Sequence, residues 1–439
     1  MSRPIIGLYG VSGVGKSYLL HQLTGDSSSL FHTHYAFLEG SQVLQSVVEG
    51  GDLRIMSQGS PSERKKWRTQ AAQKIKQDSL VGKNVVVAGH YMLWDDEKDA
   101  HGSIVAVDED WETYTHIVYV RGDPATIKRQ RESDSKAYTR VRSAVSTEHL
   151  RKWQDQEIEK LQKICMEKRI YFAVVEARNS VEKVGTLLEY FSKAWREDIM
   201  DRVKREMVRS GFLPATRGAG PRFETRLLLD ADRTIAAQDT GALFWRVVKK
   251  KTGKTEKSPL KTIFDAAGYN EFAFRQAMLF YEEYAEDFEM ICRSVADQVK
   301  LYPEFVGLLK AVSSKPHVKT IILTCELRLV WEMVLERENI GNVVVIGTGP
   351  VSREDSLVVT PEVKSRIVDA LHDNHHRVIA FGDSPLDLRM MQKADVAYVV
   401  VGKENERSKT MESELATAIK NGTYPELQSI SRHHNCLEP

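Results

Sequence analysis

Short runs of Val, Ile and Leu alternate along the 439 residues with long, charged amphipathic stretches. Strands separated by helix-length crossovers cannot pair as tight hairpins, so this rhythm predicts parallel sheets with helices on their faces. It occurs twice. Strands are expected at residues 5–10, 34–40, 84–90, 115–120 and 171–177, then at 226–232, 320–326, 342–349, 377–383 and 396–402. Residues 146–169 and 180–210 read as helices, the first with a Ser/Thr start. The small, Pro-bounded run PATRGAGP at 214–221 is the best linker. The expected organisation is a first α/β domain at 1–212, a linker at 213–222, a second at 223–415 and an irregular tail at 416–439.

Composition narrows the class. Hydrophobic content of 42% and charged content of 28% suit a globular protein. Net charge is +1, from 62 basic and 61 acidic residues, without the basic excess usual in nucleic-acid binders. Nucleic acid is therefore not an expected partner. Four scattered cysteines suit a reducing compartment. No signal stretch opens the sequence, and no apolar run approaches the roughly 18–20 residues that span a bilayer. A cytoplasmic location without membrane attachment is the expectation; nothing in the sequence sets the oligomeric state.

Gly10-Val-Ser-Gly-Val-Gly-Lys-Ser17 fits G-x-x-x-x-G-K-[ST], after an apolar strand and opening a helix. Gly10, Gly13 and Gly15 let backbone N–H groups turn onto phosphate oxygens, and the helix start adds positive potential. Lys16 is expected to reach the β/γ-phosphates of ATP and Ser17 to hold Mg²⁺. Glu39 ends the second strand and reads either as a solvated acid or, as in small-molecule P-loop kinases, as a base toward an acceptor hydroxyl. The third strand ends in Gly89-His90 instead of the usual aspartate; Asp95 or Asp96 is the substitute on offer. Lys128, Arg129 and Arg131, followed by Arg140 and Arg142, read either as a lid that neutralises a transferring phosphoryl group or as a solvated basic helix. The region resembles the adenylate kinase-like family of small P-loop kinases.

Residues 227–234, LLLDADRT, run an apolar strand into two aspartates. Paired carboxylates are costly to bury unless a cation lies between them. Asp230-Ala-Asp232-Arg-Thr234 matches D-x-D-x-T, and its companions follow in order: Thr324 ending TIILT, Lys364 in TPEVKSRIV, and Asp383 and Asp387 in GDSPLDLRM. Across residues 224–410 this set resembles the haloacid dehalogenase-like phosphatase superfamily. The resemblance implies a Rossmann-like domain and Mg²⁺ held by Asp230, the Asp232 carbonyl and Asp383, with Asp387 either a further ligand or a support to the ligands. It implies Asp230 as nucleophile, Asp232 as general acid and base, Thr324 as a phosphoryl hydrogen-bond donor and Lys364 as a neutralising cation. Arg233 stands where that family often has glycine.

The aromatic, helical stretch at 259–313 lies between the first and second of these motifs, where phosphoserine phosphatase-like members carry a cap. A cap implies a small phosphorylated metabolite as substrate. Phe274, Arg275, Met278, Tyr281 and Tyr284 face either the site or the core of the cap. The lysine-rich run at 249–257 reads as an exposed turn. His433, His434 and Cys436 read as tail, and His372, His375 and His376 as solvated loop.

The order of domains is similar to polynucleotide kinase–phosphatases. It is more similar to the N-terminal part of fungal multidomain uracil phosphoribosyltransferase-like proteins, through DADRTIAAQDTG, AFGDSPLDLRMM and RSKTM. The expectation is a bifunctional phosphotransfer enzyme using Mg²⁺ and ATP, with an association to nucleotide salvage. The alternatives are nucleic-acid end repair and a phosphatase gated by a non-catalytic nucleotide-binding domain.

Overall fold

The computed structural model describes residues 3–25, 31–79, 82–137, 143–214, 224–253, 258–401, 409–421 and 427–431. The chain divides into two compact units, Met1–Arg196 and Glu197–Pro439. The helix Ile199–Arg209 therefore goes with the second unit, ahead of the expected linker. Most of the expected linker, residues 215–222, lies outside the described residues.

In the first unit, strands β1 (Ile5–Tyr9), β2 (Tyr35–Glu39) and β3 (Asn84–Ala88) precede a small antiparallel hairpin, β4 (Met92–Leu93) and β5 (Ser103–Ile104). Strands β6 (His116–Arg121) and β7 (Tyr171–Glu176) complete a parallel sheet of order β2-β3-β1-β6-β7. All five residues of β1 are buried, as a central strand covered on both faces requires. The helix Thr147–Lys168 begins where expected, with Ser146 accepting a hydrogen bond from His149 N, and seats Leu150, Trp153 and Leu161 in the core.

In the second unit, β8 (Thr225–Leu229), β9 (Val318–Leu327), β10 (Val343–Thr348), β11 (Arg377–Gly382), β12 (Val396–Val401) and β13 (Leu427–Ser431) form a sheet of order β10-β9-β8-β11-β12-β13. All its neighbouring pairs are parallel. Strand β13 and the helix Lys409–Lys420 correct the expectation of an irregular tail. The free edge of β12 offers a ladder of N–H and C=O groups, and residues 427–431 fill it. Between β8 and β9 lie the helices Thr240–Thr252, Pro259–Ala267, Glu271–Glu282, Phe288–Ala296 and Pro303–Ser313. The helical insert is thus present, and it begins before residue 259.

Both sheets have a switch point. The chain leaves β1 toward β3 and β2 on one side and reaches β6 on the other; it leaves β8 toward β9 and β10 before crossing to β11. Such a reversal opens a crevice at the carboxyl ends of the strands, the usual ligand position in open α/β sheets.

Candidate active sites of the two domains

In the second unit, Asp230 follows β8 directly and its N–H donates to Phe381 O of β11 at 2.9 Å. Neighbouring strands therefore bring the D-x-D turn and the Gly382-Asp383 turn to the same crevice. Asp230, Asp383 and Asp387 each offer a carboxylate oxygen, all within 4.8 Å of one another. Thr234 ties two of them together: its hydroxyl lies 3.0 Å from Asp230 Oδ2 and 3.1 Å from Asp383 Oδ1. Asp387 is held by the Ser384 N–H and hydroxyl at 3.2 and 3.0 Å. A Cβ on Gly382 would stand 2.5 Å from Asp387 Cβ, so a glycine is needed for that approach.

Lys364 reaches the cluster from the first turn of the helix Pro361–His372, which Thr360 caps. Its Nζ donates to Asp230 Oδ1 at 2.5 Å and to Asp387 Oδ1 at 2.7 Å, and the side chain is 1% exposed. Burial pushes the Asp230 carboxyl up, and the Asp387 charge adds to it, with Lys364 opposing. Burial works against the Lys364 ammonium too, but Asp230 and Asp387 outweigh it and keep it protonated. One ammonium does not balance three carboxylates, and a hard divalent cation suits an all-oxygen donor set. The residues present fit such an ion.

The Asp232 side chain lies outside that group. Its Oδ1 accepts the Thr240 N–H, and its Oδ2 accepts the Thr324 hydroxyl at 3.1 Å and the Trp331 indole N–H at 3.2 Å. Thr324 is thus engaged with Asp232, and its oxygen also accepts the Glu326 N–H at 2.9 Å. Burial, then the Asp239 charge, raises the Asp232 carboxyl, while the Thr240 and Trp331 donors oppose this. Arg233 sits at φ 62, in the left-handed region that favours glycine, and its guanidinium meets Asp239 Oδ2 at 2.9 Å.

From the insert, Tyr281 is fully buried and donates to Glu326 Oε2 at 2.9 Å. Phe274, Arg275 and Met278 are buried in the insert, and Arg275 pairs with Glu271 at 2.7 Å. Tyr284 packs edge-on against Trp245. The sequence reading missed Trp331 and Glu326. Trp331 sits in the apolar run LRLVWEMVL and reads as core; the available signal was that a buried indole N–H needs an acceptor.

In the first unit, Gly10, Gly13 and Gly15 all take positive φ (149, 92 and 97), as a loop that turns its N–H groups inward demands. Lys16 Nζ donates to Gly10 O at 2.6 Å and Val11 O at 3.2 Å, and lies 3.5 Å from His90 Nδ1. Ser17 follows in the first turn of the helix Lys16–Gly25. Arg131 is brought to this loop: it is 3% exposed, donates to Ser12 O at 3.2 Å and pairs with Asp95 at 2.6 Å. Arg129 is exposed and donates to Thr126 at 3.1 Å. Arg140 and Arg142 lie outside the described residues. Glu39 ends β2, paired in register with Ala88 at the end of β3. A further acid, Glu157, is fully buried, accepts from Tyr119 at 2.7 Å and Met92 N at 3.1 Å, and is pushed up to about 7 by burial.

Residues 227–392 match the family model of haloacid dehalogenase-like hydrolases, and residues 9–151 match that of the AAA domain. No curated protein matches the chain. Among solved structures, a HAD family hydrolase from Salmonella enterica subsp. enterica serovar Typhi is 18% identical at a TM-score of 0.32, over 43% of this chain and 66% of that one. A probable phosphoserine phosphatase from Vibrio cholerae is 17% identical at 0.32, over 46% of this chain and 60% of that one. A phosphoserine phosphatase with a phospho-aspartyl intermediate analogue is 12% identical at 0.31, over 46% of this chain and 99% of that one. Among the described residues no helix is long and apolar enough to cross a membrane. The chain carries an AAA/P-loop domain across residues 9–151 and, after it, a haloacid dehalogenase-like hydrolase domain across residues 227–392.

Proposed function

We propose that the second domain is a Mg²⁺-dependent phosphomonoesterase for a small phosphorylated metabolite, and that the first binds ATP and phosphorylates a small acceptor. The observation that carries the phosphatase reading is Lys364 bridging Asp230 and Asp387, with Asp383 in the same carboxylate group. Asp230 attacks phosphorus, and the bond from phosphorus to the ester oxygen breaks. Asp232 gives its proton to that departing oxygen. Water then attacks the phosphoaspartate, yields a proton to Asp232, and frees Asp230 and inorganic phosphate. Lys364 neutralises the phosphoryl group, and Thr324 turns its hydroxyl from Asp232 toward a phosphoryl oxygen. Asp230, Asp383, Asp387 and the Asp232 carbonyl would hold Mg²⁺, whose charge would keep these carboxylates ionised together. The helical insert supports a small substrate; a place in nucleotide salvage is proposed from the sequence resemblance alone.

In the first domain, Lys16 and Ser17 serve the ATP phosphates and their Mg²⁺, Arg131 the transferring group, and Glu39 the acceptor hydroxyl. A second reading is favoured by two observations. Asp95 is already engaged by Arg131, and β3 ends in Gly89-His90 without an acid. On that reading the domain binds nucleotide without turnover and regulates the phosphatase.

The test is phosphate release with Mg²⁺ from nucleoside monophosphates, sugar phosphates, phosphoserine and a 3′-phosphorylated oligonucleotide, with and without ATP. Release from a small ester that is lost in Asp230→Asn is the expected result. Release only from the oligonucleotide would favour end repair. A rate that changes with ATP, without phosphoryl transfer to any dephosphorylated product, would favour the regulatory reading.

A further inference from the structure

We propose that Trp331 is a positioning residue for proton transfer by Asp232, an inference that rests on the phosphatase reading above. Trp331 lies in the helix Arg328–Arg337, which follows β9, and is fully buried. Its indole nitrogen can only donate, and it donates to Asp232 Oδ2 at 3.2 Å. The Thr240 N–H, from the first turn of the helix Thr240–Thr252, holds Oδ1. Two separate helices therefore fix the two oxygens of one carboxylate. The third donor, the Thr324 hydroxyl, is shared: it is the group proposed to turn to the phosphoryl oxygen. Once it turns, the Thr240 N–H and the Trp331 indole are what aim Asp232 at the departing oxygen.

The chemistry makes this separable from a packing role. When the ester bond breaks, its electron pair goes to the leaving oxygen, and an alkoxide must take the Asp232 proton as it departs. A p-nitrophenolate leaves stably without one. Misaiming Asp232 should therefore slow alkyl esters and spare the nitrophenyl ester. The ratio kcat/KM reads events only through departure of the alcohol, so the later hydrolysis of the phosphoaspartate does not enter it.

The experiment compares kcat/KM of the full chain with Mg²⁺ on the best alkyl phosphate of the panel and on p-nitrophenyl phosphate, for wild type and Trp331→Phe. Replacement of Trp331 by 3-benzothienylalanine, which keeps the bicyclic shape and lacks the N–H, covers the case in which Phe does not fold. The expected result is a loss of about tenfold or more on the alkyl ester, less than the roughly 10²–10⁴-fold of a whole acid–base group because only its aim is lost, with little change on the nitrophenyl ester. An equal loss on both esters, or no loss on either, would overturn the proposal. Absence of activity in the wild type on both esters would instead overturn the phosphatase reading, and the proposal with it.

Discussion

At the scale of single residues, buried polar groups make up the candidate site and shape the response of stability to pH. His376 lies just before β11, and its Nε2 faces the Arg226 guanidinium at 3.3 Å. Burial, then the Arg226 charge, pushes His376 down to about 4, against an unfolded value of about 6.5. The unfolded chain thus binds a proton that the folded one refuses. Stability from this group is complete above about pH 6.5 and falls as pH drops toward 4. Urea unfolding between pH 7 and pH 4 should show this loss, and His376→Gln should flatten it. The sequence reading took His376 for a solvated loop residue, because burial at the base of a sheet depends on which strands flank it. Asp230, Asp383 and Lys364 were legible because their order and spacing along the chain are themselves the signal. Trp331 was not, since an indole on an apolar helix looks the same whether its N–H meets a backbone carbonyl or a carboxylate. Arg233 sits between these cases: its departure from glycine was visible, while its positive φ and its tie to Asp239 required the folded turn.

At the scale of elements, the ten expected strands are present because each is an apolar run that a two-faced parallel sheet must bury. The hairpin of β4 and β5, with two residues in each strand, is too short to leave a periodic trace. The helical insert was legible from periodicity, but its hold on the rest of the domain was not. The helix Glu271–Glu282 reaches the end of β9 through Tyr281 and Glu326, two residues past Thr324. Gly241 makes room for that acid, since a Cβ there would lie 2.5 Å from Glu326 Oε2. Tyr281→Phe removes the hydroxyl that donates to Glu326 Oε2 while keeping the ring's packing. It should cost about 1–3 kcal/mol by leaving a half-buried Glu326 carboxyl oxygen without this donor. Because the contact joins the insert to the stretch of β9 that carries Thr324, it should also lower turnover of small esters. Denaturant unfolding and steady-state kinetics on one preparation check both.

At the scale of the whole molecule, each unit has its own sheet, core and crevice. A fragment of residues 197–439 should therefore fold and keep the phosphatase activity of the full chain. A fragment of residues 1–196 should melt in its own transition, raised by ATP in proportion to binding and insensitive to ATP after Lys16→Ala. Differential scanning calorimetry of the two fragments and the full chain tests this. The resting position of Lys16 has a consequence for what the first unit can select. The ammonium is already satisfied by two carbonyls of its own loop. An incoming ligand must outcompete those oxygens, so affinity is a difference between two sets of contacts. A nucleoside without phosphates offers nothing in that exchange, whereas a triphosphate replaces neutral oxygens with charged ones. On the proposed reading, that exchange selects for charge before the base is read.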